Sequence, residues 1–249
     1  SGLAITDHEA LCAHMTVNKL AKAMRETDPD FTIALGNEIY LTETREPKQK
    51  YYHFILIAKD NDGYTQLKKL SSLAWTNIYE YGRLERVPTL KEDLKRIIKE
   101  NPGHVIATSA CIGGELSSNA LLMAKARAVG DNQNAKIYYD NINNFLNYCL
   151  DIFGSDFYIE CAPSADAEQI LVNQTLYKIS KALGVPMVIG TDAHYLRPED
   201  RPIHRAYLTS KEGDRETDKF YQYTYVMSPD EVKELMLKSI EDEAVIDLM

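Results

Sequence analysis

Side chains that ligate metals or exchange protons recur in this sequence directly after short apolar runs. Leu3-Ala4-Ile5-Thr6 leads into Asp7-His8, and Phe31 to Leu35 leads into Gly36-Asn37-Glu38. Val105 to Thr108 leads into Ser109-Ala110-Cys111, and Val185 to Ile189 leads into Gly190-Thr191-Asp192-Ala193-His194. With only 6 histidines in 249 residues, chance placement seldom ends so many runs this way. Imidazole and carboxylate together suit Zn²⁺, Mn²⁺ or Fe. On extended chain, residues i and i+2 point to one side, so Asp192 and His194 can reach one centre. Adjacent Asp7 and His8 point oppositely, which makes His8 the ligand and Asp7 its structural support. Glu38 can bridge two ions, as carboxylates do in hydrolytic sites with metals roughly 3.5–4 Å apart. His53 opens the run Phe54–Ala58 instead of closing one, so it must approach the site from another direction.

Blander readings stand beside these. An Asp-x-His spacing is weak evidence by itself, and Glu38 after Gly36 also reads as a surface carboxylate at a turn. Cys111 is either a ligand or a small buried filler, the usual fate of a cysteine outside a disulfide. Gly113-Gly114 could let backbone approach a phosphate, a thin signal from two glycines. His14 falls on a helix as a solvated or packing residue, and His104 precedes a strand at its amino end. His204 is either a phosphate contact or a helix-surface residue, with the second the stronger reading. The 16 tyrosines read as packing and rim residues.

Positioning such groups requires strands that share one end. The apolar runs Leu3–Thr6, Phe31–Leu35, Phe54–Ala58, Val105–Thr108, Phe157–Ile159 and Val185–Ile189 have strand length and are mostly apolar throughout, as strands buried on both faces are. Amphipathic helical patterns lie between them, near 10–25, 63–79, 90–99, 116–153 and 167–183. Asn101-Pro102-Gly103 and Leu183-Gly184 supply stop signals. Alternating strands and helices predict an α/β fold with a parallel sheet, and the strand count suits a barrel whose chemistry gathers at the carboxyl ends of its strands. A last helix is predicted after Ser228, with Ser228 as N-cap, Pro229 at its first position and acids in its first turn.

Composition narrows the setting. The formal charge is −9, with 28 basic and 37 acidic residues, so an extended surface that grips duplex DNA by itself is not expected. No apolar run approaches the ~20 residues of a membrane helix. Four cysteines in a chain of this length do not suggest a disulfide framework, and a reducing, cytoplasmic setting is expected. Both termini read as cut, and a piece of a longer polypeptide is expected.

Several blocks occur in a family's order: Ile5-Thr6-Asp7-His8, Gly36-Asn37-Glu38, His53 to Lys59, Gly63-Tyr64, Ser109 to Glu115, Phe157-Tyr158-Ile159-Glu160 and Thr191 to Leu196. Together they resemble the polymerase-and-histidinol-phosphatase (PHP) domain of the bacterial DNA polymerase III alpha subunit. The resemblance implies a distorted (β/α)7 barrel, with residues 1–225 as the PHP domain and 226–249 as a helical segment leading toward the polymerase core. The family's first motif, a His-x-His on the first strand, is expected upstream of Ser1. The resemblance further implies up to three divalent metals (Zn, Mn or Fe) held by His8, Glu38, His53, Cys111, Asp192 and His194. Glu38, Asp192 and His194 are implied as the catalytic set, with Glu160 close by. It implies metal-dependent 3′→5′ exonuclease chemistry in DNA replication, with DNA delivered by the rest of the polymerase, other replicase subunits as partners and no membrane. Two alternatives remain: an inactive module that stabilises the polymerase, and a free-standing histidinol-phosphatase-like phosphoesterase.

Overall fold

The computed structural model describes residues 2–46, 49–81, 84–212 and 220–249. Its contacts divide the chain into two compact units, residues 1–116 with 141–158 and residues 117–140 with 159–249. The fold is α/β, with strands and helices alternating through most of the sequence.

In the first unit, β1 (Gly2–Ile5) is followed by α1 (His14–Met24), β2 (Thr32–Thr42), β3 (Tyr52–Ala58) and α2 (Asn61–Trp75). A small antiparallel pair, β4 (Tyr79–Tyr81) with β5 (Leu84–Arg86), precedes β6 (Pro88–Leu90), α3 (Lys91–Glu100) and β7 (Val105–Thr108). Strand β1 pairs in parallel with the start of β2, Ile5 opposite Leu35, and β6 pairs in parallel with its end, Tyr40 opposite Pro88. Strand β3 departs from the all-parallel expectation. It runs antiparallel to both β2 and β7. No helix separates β2 from β3 among the described residues, so the chain turns straight back instead of crossing over as a parallel pair requires.

Strand β2 is also longer than its apolar run suggests. It continues through Gly36-Asn37-Glu38 to Thr42 because Gly36 to Leu41 pair with Ile57 to Tyr52. Beneath this sheet Phe54 meets Phe145, Phe153 and Phe157, with ring centroids 6.0–6.4 Å away. Phe54, Phe145 and Phe157 are almost wholly buried. Asp60 caps α2 by accepting hydrogen bonds from the amides of Asp62 and Gly63.

Helices α4 (Glu115–Ala128) and α5 (Asn132–Phe153) lead to β8 (Phe157–Cys161), α6 (Ala167–Leu183) and β9 (Met187–Ile189). Strand β8 spends its first two residues beside β7 in the first unit and its last three beside β9 in the second, parallel in both cases. Helix α6 has the predicted limits. Asp166 caps it through the Glu168 and Gln169 amides, and Gly184 ends it in the left-handed conformation. In the second unit Val172 and Leu176 of α6 are fully buried, and Asn173 donates hydrogen bonds to the Ala162 carbonyl and the Ser239 hydroxyl. Helix α7 (Arg201–Glu212) lies outside the helical patterns traced along the sequence but carries His204, read there as a helix-surface residue, and α8 (Pro229–Met236) starts as predicted, with Ser228 as N-cap and Glu231 completing a capping box. The short α9 (Glu243–Ile246) is the last element. No helix among the described residues is long and apolar enough to cross a membrane, and none of the four cysteines forms a disulfide.

Candidate metal centre

The strand register of the first unit gathers four of the six candidate ligands. Beyond Ile5 the β1–β2 ladder continues in a single bridge, His8 opposite Glu38, made by the Glu38 amide to the Asp7 carbonyl (3.1 Å) and the Glu9 amide to the Glu38 carbonyl (2.9 Å). Because β3 is antiparallel, its first residues lie at the end of the sheet where β1 terminates, and His53 stands opposite Tyr40. This is the other direction that the position of His53 required. His8 Nδ1 lies 3.8 Å from Glu38 Oε1, and His53 Nδ1 lies 2.7 Å from the same oxygen. Ligand atoms of His8, Glu38 and His53 all fall within 4.8 Å of one another.

Cys111 joins them from the loop after β7, its Sγ 3.4 Å from His53 Nδ1. Glycine explains how that loop comes so close. The His53 amide donates to the Gly113 carbonyl (3.1 Å), and a Cβ on Gly113 would sit 3.0 Å from the His53 ring. The bare backbone of Gly113 therefore faces the His53 imidazole. Tyr40 stacks on His8 at 5.4 Å and Tyr51 packs on Tyr40 at 4.8 Å, an aromatic flank.

Glu38 is not the surface carboxylate of the blander reading, for it is only 4% exposed. Its Oε1 faces two imidazoles, yet neither nitrogen is aligned to hydrogen-bond it. A buried carboxylate oxygen left without a hydrogen bond is costly unless something else compensates it. Nitrogen, oxygen and sulfur donors converging on such an oxygen are the donor chemistry of a borderline divalent cation.

In the second unit Asp192 and His194 also come together, by a different device. Asp192 is in the left-handed region (φ 45°), so the segment turns and the extended alternation assumed from its spacing does not apply. The turn still leaves His194 Nδ1 3.6 Å from Asp192 Oδ1 and 2.7 Å from the Asp192 carbonyl. The His194 amide donates to the Thr224 carbonyl at 2.7 Å, which ties the turn to a distant part of the chain. His204 is more than a helix-surface residue: its ring lies 5.5 Å from His194, and Tyr221 lies 5.0 Å from His194 and 4.8 Å from His204. Burial, then the nearby His194 and Arg201, hold the His204 pKa below its ordinary value. Glu160 reaches the base of the same turn, since a Cβ on Gly190 would meet its Oε1 at 2.2 Å.

Two histidines are placed elsewhere. His104 accepts its place at the helix cap, with Nδ1 2.7 Å from Asp60 Oδ2. His14 is buried, 1% exposed, and tilts against Tyr64. The sequence reading passed over Glu9 and Tyr40. Glu9 is 2% exposed at φ 49°, and burial pushes its carboxyl up to about 8. Its only sequence signal is its place directly after Asp7-His8.

The PHP domain family model matches residues 1–164, and the chain belongs to that family. The chain is 40% identical over its whole length to "Probable DNA polymerase YorL" of Bacillus subtilis, covering 20% of that protein. It is 30% identical over 88% of its length to the DNA polymerase III subunit alpha of Borreliella burgdorferi, covering 17% of it. The Thermus aquaticus protein of the same name is 30% identical over 94% of the chain, with 18% of that protein covered. The chain thus spans about a fifth of the length of the curated relatives it matches.

Proposed function

We propose that this chain is the PHP part of a DNA polymerase III alpha-like replicative polymerase, and that its donor side chains hold divalent metal for phosphodiester hydrolysis as a 3′→5′ exonuclease. The observation that carries this reading is the buried Glu38 oxygen confronted by His8 and His53, with Cys111 against His53. Zn²⁺, Mn²⁺ or Fe would be held by His8, Glu38, His53 and Cys111 in the first unit and by Asp192 and His194 in the second. Bound divalent metal supplies Lewis acidity to a phosphoryl group and lowers the pKa of water. Glu38 would offset cation charge between the His8 and His53 imidazoles. His194, with Nδ1 directed at the Asp192 carbonyl, is oriented to offer Nε2. Residues 1–225 form the PHP domain on this reading, and 226–249 lead toward the polymerase core. DNA and other replicase subunits are partners through parts of the polymerase outside this chain, in the cytoplasm.

The test measures metal content by mass spectrometry and release of a 3′-terminal nucleotide from labelled single-stranded DNA in the presence of Mn²⁺. Metal retained near stoichiometry and hydrolysis lost in Glu38→Gln support the reading. Metal retained without any hydrolysis leaves a metal-stabilised structural module in its place, and a chain that retains no metal removes the metal site.

A further inference from the structure

Strand β2 changes partner along one edge. Residues 32–35 pair with β1, Glu38 with the His8 bridge, and residues 40–42 with β6. The carboxylate of Glu9 fills the seam between these two partners. Its Oε1 accepts the Tyr40 amide at 2.7 Å and lies 3.5 Å from the Thr89 hydroxyl of β6. The Glu9 backbone is pinned as well, its amide donating to the Glu38 carbonyl (2.9 Å) and its carbonyl accepting the Trp75 indole N–H at the end of α2 (2.7 Å). One residue therefore ties β1, β2, β6 and α2 together immediately after His8. It does so from a left-handed backbone conformation that L side chains rarely adopt. A strained, buried carboxylate persists only where the surroundings over-determine it, and such positions cluster at functional sites.

We propose that Glu9 is the positioning residue that sets the His8 imidazole against Glu38, and thereby sets the metal affinity of the His8, Glu38 and His53 group. This rests on the metal reading of that group. Glu9 sets its own Oε1 against the Tyr40 amide and the Thr89 hydroxyl. It acts through the backbone of its neighbour and through Tyr40, whose ring stacks on His8.

Two substitutions separate position from mere stability. Glu9→Gly keeps a backbone suited to φ 49° and removes the side chain, while Glu9→Gln keeps an oxygen to accept the Tyr40 amide. Co²⁺ affinity, read from its absorption bands, is measured on the 249-residue chain alongside melting of the metal-free protein. Glu9→Gly is expected to weaken Co²⁺ binding ~10–100-fold, as loss of an outer-shell support does, and Glu9→Gln to recover most of it. Equal affinity in wild type and Glu9→Gly overturns the proposal. A parallel loss in both variants, tracking the melting temperature, also overturns it. Should wild type bind no Co²⁺, the metal reading fails separately, and the metal-free protein decides the positioning. Nuclear Overhauser contacts between the His8 and Tyr40 rings are expected in wild type and Glu9→Gln but not in Glu9→Gly, and their survival in Glu9→Gly overturns it.

Discussion

The two units assemble their donors by opposite means. In the first, His8, Glu38 and His53 are held by strand register, so each side chain is placed by a ladder of backbone hydrogen bonds and a packed aromatic layer beneath. In the second, Asp192 and His194 lie outside any strand, on a left-handed turn held by a few backbone hydrogen bonds and by the rings of His204 and Tyr221. A ladder distributes positional control over many residues, whereas a turn concentrates it in a few. The first group should therefore be lost through its own ligands, its core or the Glu9 seam that pins the ladder, and the second through the single rings that pack on the turn.

The sharpest way to break the contrast is Glu38→Gln, which keeps shape and removes the charge that both imidazoles face. Co²⁺ affinity of the first-unit group should drop by more than about a hundredfold, beyond the range of an outer-shell change. Titration by absorption checks it, and a loss under tenfold would make Glu38 a bystander. Next comes the aromatic layer. Phe54 follows His53 on β3 and is fully buried against three phenylalanines. Phe54→Ala should cost about 3–5 kcal/mol in denaturant unfolding. In the turn, His204→Ala removes a ring that packs on His194. Mobility of the His194 ring, seen as broadened ¹⁵N imidazole signals, should rise, and metal affinity should fall by up to about tenfold. His204→Phe should restore the sharp signals, whereas unchanged signals in His204→Ala would deny the turn its dependence on single neighbours.

What could be read from the sequence follows the same division between local and partner-dependent structure. Helix α6 was legible at both ends because Asp166 and Gly184 cap it locally. The N-terminus of α8 was legible through Ser228 and Pro229. Strand β2 was not, because its continuation through Gly36 to Thr42 depends on antiparallel pairing with β3, which no local pattern announces. The direction of β3 was hidden for the same reason, and with it the route by which His53 arrives. Asp192 and His194 lie 3.6 Å apart on a turn and not on the extended chain that their spacing suggested, since nothing in Thr191-Asp192-Ala193 signals a left-handed residue. Glu9 escaped notice because its partners, Tyr40, Thr89 and Trp75, are remote in sequence.

The smallest expected effect compares two matched helix caps, one in each unit. Asp60 and Asp166 each accept the amides two and three residues on, but Asp60 also pairs with His104 at 2.7 Å. The Gly63 amide first, and then the His104 side chain, hold the Asp60 carboxyl below its ordinary value of 3.8. The folded chain then binds a proton at Asp60 less readily than the unfolded chain does. Its contribution is complete above the unfolded pKa and is lost as pH falls through the folded one. Asn also caps helices well, so Asp60→Asn keeps the cap and removes the titration. Its melting temperature near pH 7 should drop by no more than about 2–4 °C, the scale of one cap-sized loss in a chain of this length. Below pH 4 that deficit should shrink, because the wild-type carboxyl is itself becoming protonated. Asp166→Asn, at a cap with no histidine partner among the described residues, should show a smaller deficit at neutral pH in the same melting series. An Asp60→Asn deficit that kept growing as the pH fell below 4 would reverse the sign and deny that the cap holds the Asp60 carboxyl below its ordinary value.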